Sequence, residues 1–267
     1  MLAVVIAAGI GLVADGEPAA MQENEAPLGS EQETGPAIRP TTTANAFEHL
    51  RGKTVLIDPG HNGLNYLHSR EINRQVNAGT LWKACDTTGT QTDDGYTEAE
   101  YNFDVARRLA KILRQSGASV VLTRSNNRGW GPCITERAAI GNRAHADVGI
   151  SIHADGGPAS GRGFHIIYPP SIKGLTDDIA RDSRRLAIAL RAAFRATGMP
   201  EATYVGDSGL NVRSDLGGLN LSDVPKVLFE TGNMRNQVDA ALLESSLFRQ
   251  REAVAIAKGL DAFIARR

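Results

Sequence analysis

The stretch TVLIDPGH at residues 54–61 joins a short run typical of a buried strand to an Asp-Pro-Gly turn and a histidine. Helical patterns and further strand-like runs alternate after it. The strand-like runs are SVVL at 119–122, DVGISI at 147–152, FHIIY at 164–168 and KVLF at 226–229, and the helical patterns cover 98–116, 134–146, 179–197 and 238–264. This alternation predicts an α/β fold: a single domain with a twisted, mixed or mostly parallel sheet and helices on both faces.

The beginning of the chain differs in composition from the rest. Residues 1–13 are apolar or glycine, a run as long as the core of a signal peptide and too short to span a bilayer. Small residues follow, so we interpret residues 1–20 as a signal peptide, with a buried N-terminal helix as the alternative. Residues 21–49 are rich in Glu, Pro, Thr and Gly without an apolar period, which predicts a disordered linker. The folded domain is expected over residues 50–267.

The charge of the chain is nearly balanced, with 29 basic and 30 acidic residues and a net charge of −1. A generic nucleic-acid-binding protein needs a basic footprint, so no nucleic acid is expected as a partner. Residues 1–46 hold six acids and one base, which leaves the remaining 221 residues with a net charge of +4. That mild excess suits an anionic polymer as substrate. The chain shows no internal repeat, and we expect a monomer.

Four polar residues follow predicted strands or begin a predicted helix: His61, Glu98, His153 and Glu230. In open α/β sheets, ligands bind outside the carboxyl ends of the strands, so these side chains can converge although they are far apart in sequence. Two imidazoles and one carboxylate are typical of a catalytic zinc site, and a second glutamate would be the general base. Spacing alone leaves structural histidines as the alternative.

The motifs around these residues occur in a specific order: VLIDPGH at 55–61, E-x-x-x-N at 98–102, SIHA at 151–154 and FETGN at 229–233. With them, residues 51–267 resemble the zinc-dependent N-acetylmuramoyl-L-alanine amidases of the third amidase family. Within that family, the chain resembles the compact mycobacterial single-domain members. No Gly-x-Ser-x-Gly elbow and no His-Glu-x-x-His helix is present, which disfavours serine hydrolases and thermolysin-like proteases.

The resemblance implies a role for each of the four polar residues. His61, Glu98 and His153 would hold one Zn²⁺ ion, and Glu230 would be the catalytic residue. The activity implied is hydrolysis of the amide between N-acetylmuramic acid and L-alanine in peptidoglycan or muropeptides, during remodelling or recycling of the cell wall. Such an enzyme would be exported to the periplasm or cell wall, with no stable membrane span after processing.

Glu98 and Glu100 compete for the place of the carboxylate ligand. Thr97 can cap the helix, and Glu100 would complete a capping box three residues later. Glu98, one residue past the cap, can then turn toward the strand ends, in agreement with the motif. Among the other histidines, His68 is the one that could approach the metal; structural or solvent-exposed positions are expected for the rest, namely His49, His145 and His165.

The chain has two cysteines, Cys85 and Cys133. In an exported protein we expect them to form a disulfide, with two free thiols as the alternative. Cys85 lies in residues 62–95, a polar and irregular segment that is longer than an ordinary connection. Since this segment begins beside His61, it should border the metal site, and the disulfide should hold it there.

Two other functions remain open at this point. A zinc peptidase that cuts within the stem peptide could use the same residues, and only its products would distinguish it. A wall-binding module with a decayed site is the second, but all four site residues are intact. The sequence therefore favours the amidase.

Overall fold

The computed structural model describes residues 46–267, so the predicted signal peptide (1–20) and the predicted linker up to residue 45 lie outside the described residues. The folded part begins a little before the predicted start at residue 50. Phe47 is buried in the main core, and the backbone amide of His49 donates a hydrogen bond to Asp261 at 3.0 Å. The acidic and threonine-rich residues before Phe47 conceal this short apolar anchor in the sequence.

Eight strands lie in residues 46–267: β1 (Thr54–Pro59), β2 (Gln75–Asn77), β3 (Trp82–Ala84), β4 (Ser119–Leu122), β5 (Val148–Asp155), β6 (His165–Tyr168), β7 (Leu210–Val212) and β8 (Lys226–Asn233). Six of them form one sheet in the order β4-β1-β5-β8-β6-β7, and β2 and β3 form a separate antiparallel pair. Neighbouring strands from β4 to β8 are parallel, whereas β6 runs antiparallel to β8. The prediction of a mixed, mostly parallel sheet is confirmed.

The two central strands, β5 and β8, extend beyond their predicted ends. His153 pairs with Glu230, and after a register shift Asp155 pairs with Asn233. His153 and Glu230 therefore lie within these strands rather than after them. The reason is that two adjacent parallel strands continue to satisfy each other's backbone groups past the end of their apolar runs.

The helices of residues 46–267 are α1 (Ser69–Ile72), α2 (Glu98–Gln115), α3 (Ile134–Arg143), α4 (Ala180–Phe194), α5 (Gly217–Asn220), α6 (Gln237–Glu244) and α7 (Ser246–Ile264). On one face of the sheet, α2, α4 and α7 enclose the main core, where the rings of Phe164, Phe194 and Phe229 pack edge to face. On the other face, Leu56 packs against Ile140 of α3. Helices thus cover both faces. None of these helices has the length and apolar character needed to cross a bilayer.

Two serine or threonine caps decide where helices begin. The hydroxyl of Thr97 accepts a hydrogen bond from the amide of Glu100 at 3.3 Å, so α2 begins at Glu98 as predicted. The single helix predicted over 238–264 is wrong, because Ser245 has extended backbone and caps a new helix by accepting from the amide of Phe248. The apolar patterns of α6 and α7 merge in the sequence and hide this break.

Residues 62–95 are more ordered than the sequence predicts, since they contain α1 and the β2–β3 pair. The disulfide between Cys85 and Cys133 is present, with an S–S distance of 2.01 Å. The carbonyl of Cys85 accepts from the amide of Ile134, so the bridge ties this segment to the start of α3. The segment borders the site around His61, as expected, because Asp86 follows Cys85 directly and contacts the His61 ring at 3.2 Å.

Reduction of the disulfide is expected to expose residues 62–95 to proteases before the domain unfolds. The bridge closes a long loop, since its cysteines are 48 positions apart, and contributes at most ~4 kcal/mol in the chain-entropy model. Segments with short elements open at low free energy, whereas the main core does not depend on the bridge. Limited proteolysis with mass spectrometry, compared with far-UV circular dichroism, measures the two events. The double variant Cys85→Ser/Cys133→Ser is the control, and simultaneous cleavage and global unfolding would contradict the prediction.

A buried acid joins α7 to the centre of the sheet. Glu252 is fully buried and accepts a hydrogen bond from the hydroxyl of Tyr101 at 2.8 Å, and its Oε1 atom has no partner. The Tyr101 hydroxyl also contacts Thr231, whose hydroxyl donates to the carbonyl of His153 at 3.1 Å. Burial raises the pKa of Glu252 to about 8, although the bond from Tyr101 opposes the shift.

Glu252→Gln is expected to stabilise the protein at alkaline pH and to have much less effect at acidic pH. A carboxyl whose pKa is raised on folding keeps its proton in the folded state, so it costs stability as the pH rises from about 4.5 to about 8. Glutamine stays neutral and can still accept from Tyr101, so the gain should reach the order of a few kcal/mol. Urea unfolding of both proteins near pH 5.5 and near pH 8.5 measures it. An equal difference at both pH values would show that Glu252 does not titrate in this range.

Candidate metal centre

Three side chains from separate elements meet at the carboxyl ends of β1 and β5. His61 follows β1, Glu98 is the first residue of α2, and His153 lies on β5. The Nε2 atom of His61 is 3.2 Å from Glu98 Oε2, and the Nδ1 atom of His153 is 2.8 Å from Glu98 Oε1. One donor atom from each residue lies within 4.8 Å of the others. The structure thus brings together the three residues named as metal ligands from the sequence.

Two glycines make room for this cluster. A Cβ atom on Gly60 would lie 2.1 Å from Cε1 of His153, and one on Gly89 would lie 2.7 Å from Oε2 of Glu98. Both distances are far below a normal contact, so any side chain here would displace a donor group. His61 itself has a left-handed backbone with φ of 56°, an unusual conformation for a residue other than glycine. The turn after β1 therefore holds His61 in a backbone conformation that most residues other than glycine avoid.

Hydrogen bonds fix which ring nitrogens face the centre. Nδ1 of His61 lies 3.0 Å from the carbonyl of Thr87, which can only accept, so this nitrogen carries the proton and Nε2 is free to bind a metal. In His153 the other nitrogen, Nε2, lies 3.2 Å from the hydroxyl of Ser151, and Nδ1 points to Glu98. Such outer contacts are typical of metal-ligating histidines, because they set the tautomer and the ring orientation.

The carboxylate of Glu98 is held by its surroundings. Its Oε2 accepts from the backbone amide of Thr90 at 3.0 Å, and its Oε1 accepts from the side-chain amide of Asn102 at 3.4 Å. Glu98 is buried, whereas Glu100 is exposed and its amide is capped by Thr97. Of the two glutamates that compete in the sequence, Glu98 is the one that reaches the histidines.

Burial and charge act in opposite directions on these groups. Burial by itself would lower the pKa of His61, but Glu98 and Asp86 raise it to about 10. Burial would raise the pKa of Glu98, but His61 and His153 hold it well below its usual value. The carboxylate is thus anionic at neutral pH, and positive charge is favoured between it and the rings. A metal cation can take the place of the proton that His61 would otherwise hold beside Glu98.

Glu230 stands beside this cluster without being part of it. In the sheet it is flanked by His153 of β5 and His165 of β6. Its Oε2 atom is buried and has no hydrogen-bond partner. Burial and the nearby charge of Glu98 raise the pKa of Glu230 well above its usual value. A carboxyl with a raised pKa and an Oε2 atom without a hydrogen bond is a candidate for proton transfer.

A buried chain of charges below His61 escaped the sequence analysis. Asp58 accepts from Lys226 at 2.8 Å and from Arg137 at 2.9 Å, and Arg137 also donates to Asp86 at 3.0 Å. Asp86 then contacts His61, so the chain ends on the metal centre. Lys226 and Arg137 lower the pKa of Asp58, against the effect of burial. The sequence marks Asp58 and Pro59 by their turn pattern, but Lys226 and Arg137, which bind Asp58, lie too far away in sequence to be recognised as its partners.

The remaining histidines lie elsewhere. His68 is not among the clustered donors: its ring stacks on Trp130 with centroids 5.6 Å apart, so the suggestion that it approaches the metal is not supported. His49 contacts Asp261 of α7. His165 is buried in β6, and burial lowers its pKa to about 4.

Residues 55–262 match the family model described as N-acetylmuramoyl-L-alanine amidase. The chain belongs to this family. The resemblance inferred from the four motifs is thereby confirmed, and the match covers His61, Glu98, His153 and Glu230 and all of the main sheet except Thr54.

Mycobacterial members of the amidase family are similar over most of the chain. N-acetylmuramoyl-L-alanine amidase Rv3717 of Mycobacterium tuberculosis is 43% identical over 218 residues, which are 81% of this chain and 88% of that protein. The crystal structure of Ami1 from Mycobacterium smegmatis is 42% identical, with a TM-score of 0.77, and covers 82% of this chain and 99% of that one. Ami1 from Mycobacterium abscessus, in its apo form, is 41% identical, with a TM-score of 0.75 and coverage of 80% and 99%. The expected likeness to compact mycobacterial amidases is therefore confirmed.

Proposed function

We propose that the protein is a zinc-dependent N-acetylmuramoyl-L-alanine amidase, which hydrolyses the amide between N-acetylmuramic acid and L-alanine in peptidoglycan. The observation that carries the proposal is the convergence of His61, Glu98 and His153 beside the unpartnered carboxylate of Glu230. Family membership and the 43% identity to a mycobacterial enzyme of that name support it.

The donor set fits zinc. Two imidazole nitrogens and one carboxylate oxygen are typical of catalytic zinc sites, which keep a fourth position open, and the lack of side chains at Gly60 and Gly89 leaves space around the donors. When bound, zinc would supply a Lewis acid that polarises a carbonyl and brings the pKa of water toward ~7. His61, Glu98 and His153 would hold this single ion.

Glu230 would move the proton. A water attacking the lactyl carbonyl must lose a proton, and the Oε2 atom of Glu230 has no competing hydrogen bond. Its raised pKa favours acceptance of that proton and its transfer to the nitrogen of the departing L-alanine. Asp86 and the carbonyl of Thr87 would hold the His61 ring in place meanwhile.

The proposed location is outside the cytoplasmic membrane, in the periplasm or cell wall. The apolar run at 1–13 supports residues 1–20 as a signal peptide, followed by the linker over 21–49 and the catalytic domain over 50–267. The disulfide between Cys85 and Cys133 fits an oxidising compartment. Peptidoglycan or muropeptides are the proposed partners of a monomeric enzyme that acts in wall remodelling or recycling.

Mass spectrometry of muropeptides after digestion tests the reaction. We expect the protein to release intact stem peptides with a free L-alanine amine, and we expect a chelator to stop the reaction until zinc is restored. Shortened stems still attached to muramic acid would identify a zinc peptidase instead. Binding to cell walls without any product would identify a wall-binding module. Activity that persists in the chelated protein, with no zinc detected, would exclude the metal mechanism.

A further inference from the structure

Two cavities with different chemistry adjoin the metal ligands. The first, called here the charged pocket after the five charged residues in its lining (Asp58, Lys83, Asp86, Arg137 and Lys226), has a volume of about 190 Å³. Its accessible surface is mostly apolar, because all of these except Lys83 are buried and paired with one another. The second, called here the neutral groove, has a volume of about 580 Å³, and its lining includes Asn62, Tyr66, Thr88, Thr90, Gln91 and Thr97. The volume of the groove is in the range of ligand-binding sites, roughly 300–1,000 Å³.

The metal ligands lie where the two cavities meet. His61 and His153 line the charged pocket. Gly89 lines the neutral groove, and a Cβ atom on it would be 2.7 Å from Glu98 and 2.9 Å from the His61 ring. Thr87 belongs to the pocket and Thr88 to the groove, so this short segment separates them. Both cavities therefore adjoin the cluster, the charged pocket through His61 and His153 and the neutral groove through Gly89.

The neutral groove has the composition of a carbohydrate site. None of the nine described residues that line it carries a charged side chain; hydroxyl and amide groups predominate. These groups can donate to and accept from sugar hydroxyl and acetamido groups. Tyr66 adds a flat apolar ring that is 65% exposed, so it offers a surface for the C–H face of a pyranose.

The bond to be cut joins two chemically different halves, a point that rests on the proposed function. The sugar that carries the scissile amide is neutral, because the carboxyl of its lactyl group is consumed in the amide, and the N-acetylglucosamine beside it is neutral as well. The peptide half carries ionised groups. We propose that the neutral groove binds the glycan strand on the saccharide side of the scissile bond, with Tyr66 stacking on a sugar ring.

Kinetics with two substrates test the groove. We compare an N-acetylmuramoyl peptide with the same peptide on the disaccharide of N-acetylglucosamine and N-acetylmuramic acid, which adds a neutral sugar and no further carboxyl. The wild-type zinc enzyme should have a lower KM for the longer substrate. Tyr66→Ala should remove about tenfold of this gain, which is the size of one stacked aromatic contact, and leave kcat unchanged. Gln91→Ala, a second exposed position of the groove, should reduce the gain as well.

Matched variants exclude a general effect of surface mutation. Leu67→Ala removes the exposed neighbour of Tyr66, and Trp82→Ala removes an exposed aromatic ring; neither residue lines the groove. Both should keep the preference for the longer substrate. A preference that is absent in the wild type, or equal in Tyr66→Ala and Leu67→Ala, would overturn the proposal.

Binding of a sugar without peptide separates this inference from the proposed reaction. Calorimetric titration of the zinc-loaded protein with an oligomer of N-acetylglucosamine should show binding that is about tenfold weaker in Tyr66→Ala and unchanged in Leu67→Ala. Failure to hydrolyse any muropeptide would count against the amidase and leave this readout intact. Hydrolysis without sugar binding or a length effect would count against the groove alone, and would assign the glycan to another surface.

Discussion

Glu230→Gln is expected to lower turnover of muropeptides by roughly 10²–10⁴-fold, the range for loss of a positioned acid–base group. Glutamine keeps the shape of the side chain but cannot take the proton of the attacking water. The pKa of Glu230 is raised by burial and by Glu98, so the native carboxyl is matched to a step in which it must first accept and then release a proton. Its Oε2 atom has no hydrogen-bond partner, so the substitution breaks no hydrogen bond at that atom. Steady-state kinetics with the zinc-loaded variant measure the loss.

The fold and the metal should survive this substitution. Glu230 is outside the cluster of three donors, so both Glu230→Gln and Glu230→Ala should retain one zinc ion per chain and still bind muropeptides. Atomic emission spectroscopy and circular dichroism provide these controls. A variant that loses its zinc would make Glu230 a ligand. A variant with near-full activity would falsify the proton-transfer mechanism.

Loss of a metal ligand is expected to have the second large effect. His61→Ala and His153→Ala each remove one of three protein donors, and Glu98→Gln removes the only anionic one. All three variants should bind less zinc and lose activity with it, because a catalytic zinc site normally needs three protein ligands and only two would remain. Zinc content after dialysis against a weak chelator, together with activity at saturating zinc, measures the effect.

Glu100→Gln is the matched control for Glu98→Gln. It makes the same chemical change two residues away, at an exposed position where the Glu100 amide, rather than its side chain, holds the cap on Thr97. We expect full zinc occupancy and near-normal turnover. Equal zinc loss in Glu98→Gln and Glu100→Gln would mean that zinc binding depends on the negative charge near the start of the helix and not on Glu98 as a ligand. Full zinc occupancy in His61→Ala and in His153→Ala would show that these histidines are not zinc ligands.

Local signals in the sequence account for most of the fold and for the four candidate site residues, whereas their roles as ligands and base came from the resemblance to the amidase family. Apolar runs mark β1, β4, β5, β6 and β8 of the main sheet. Parallel neighbouring strands place their carboxyl ends at one edge of the sheet, so His61 and His153 could be expected to lie close together although they are far apart in sequence. The cap at Thr97 also explains why Glu98 turns inward and Glu100 outward. These features depend on a few consecutive residues, so the sequence alone reveals them.

Features that depend on distant contacts were missed. Arg137 is 79 positions from Asp58 and 51 from Asp86, and nothing near Arg137 indicates that it is buried between two acids. The short strands β2, β3 and β7 have three residues each, too few to show a period. The break at Ser245 is hidden because one helix is followed directly by another. The buried arginine and the short strands are decided by packing partners, whereas the break at Ser245 is a local cap hidden by the continuous apolar pattern.

The buried chain from Lys226 through Asp58, Arg137 and Asp86 to His61 restricts how this enzyme can evolve. Removal of one member leaves a neighbour's charge buried without compensation, which costs far more than replacing a whole pair by apolar residues. The residues are therefore constrained to vary together, and their individual substitutions are not additive. The same constraint applies to engineering of the surroundings of His61. A change there that the protein tolerates has to be sought as a set of coordinated substitutions that includes Lys226 of β8, and not as a single mutation.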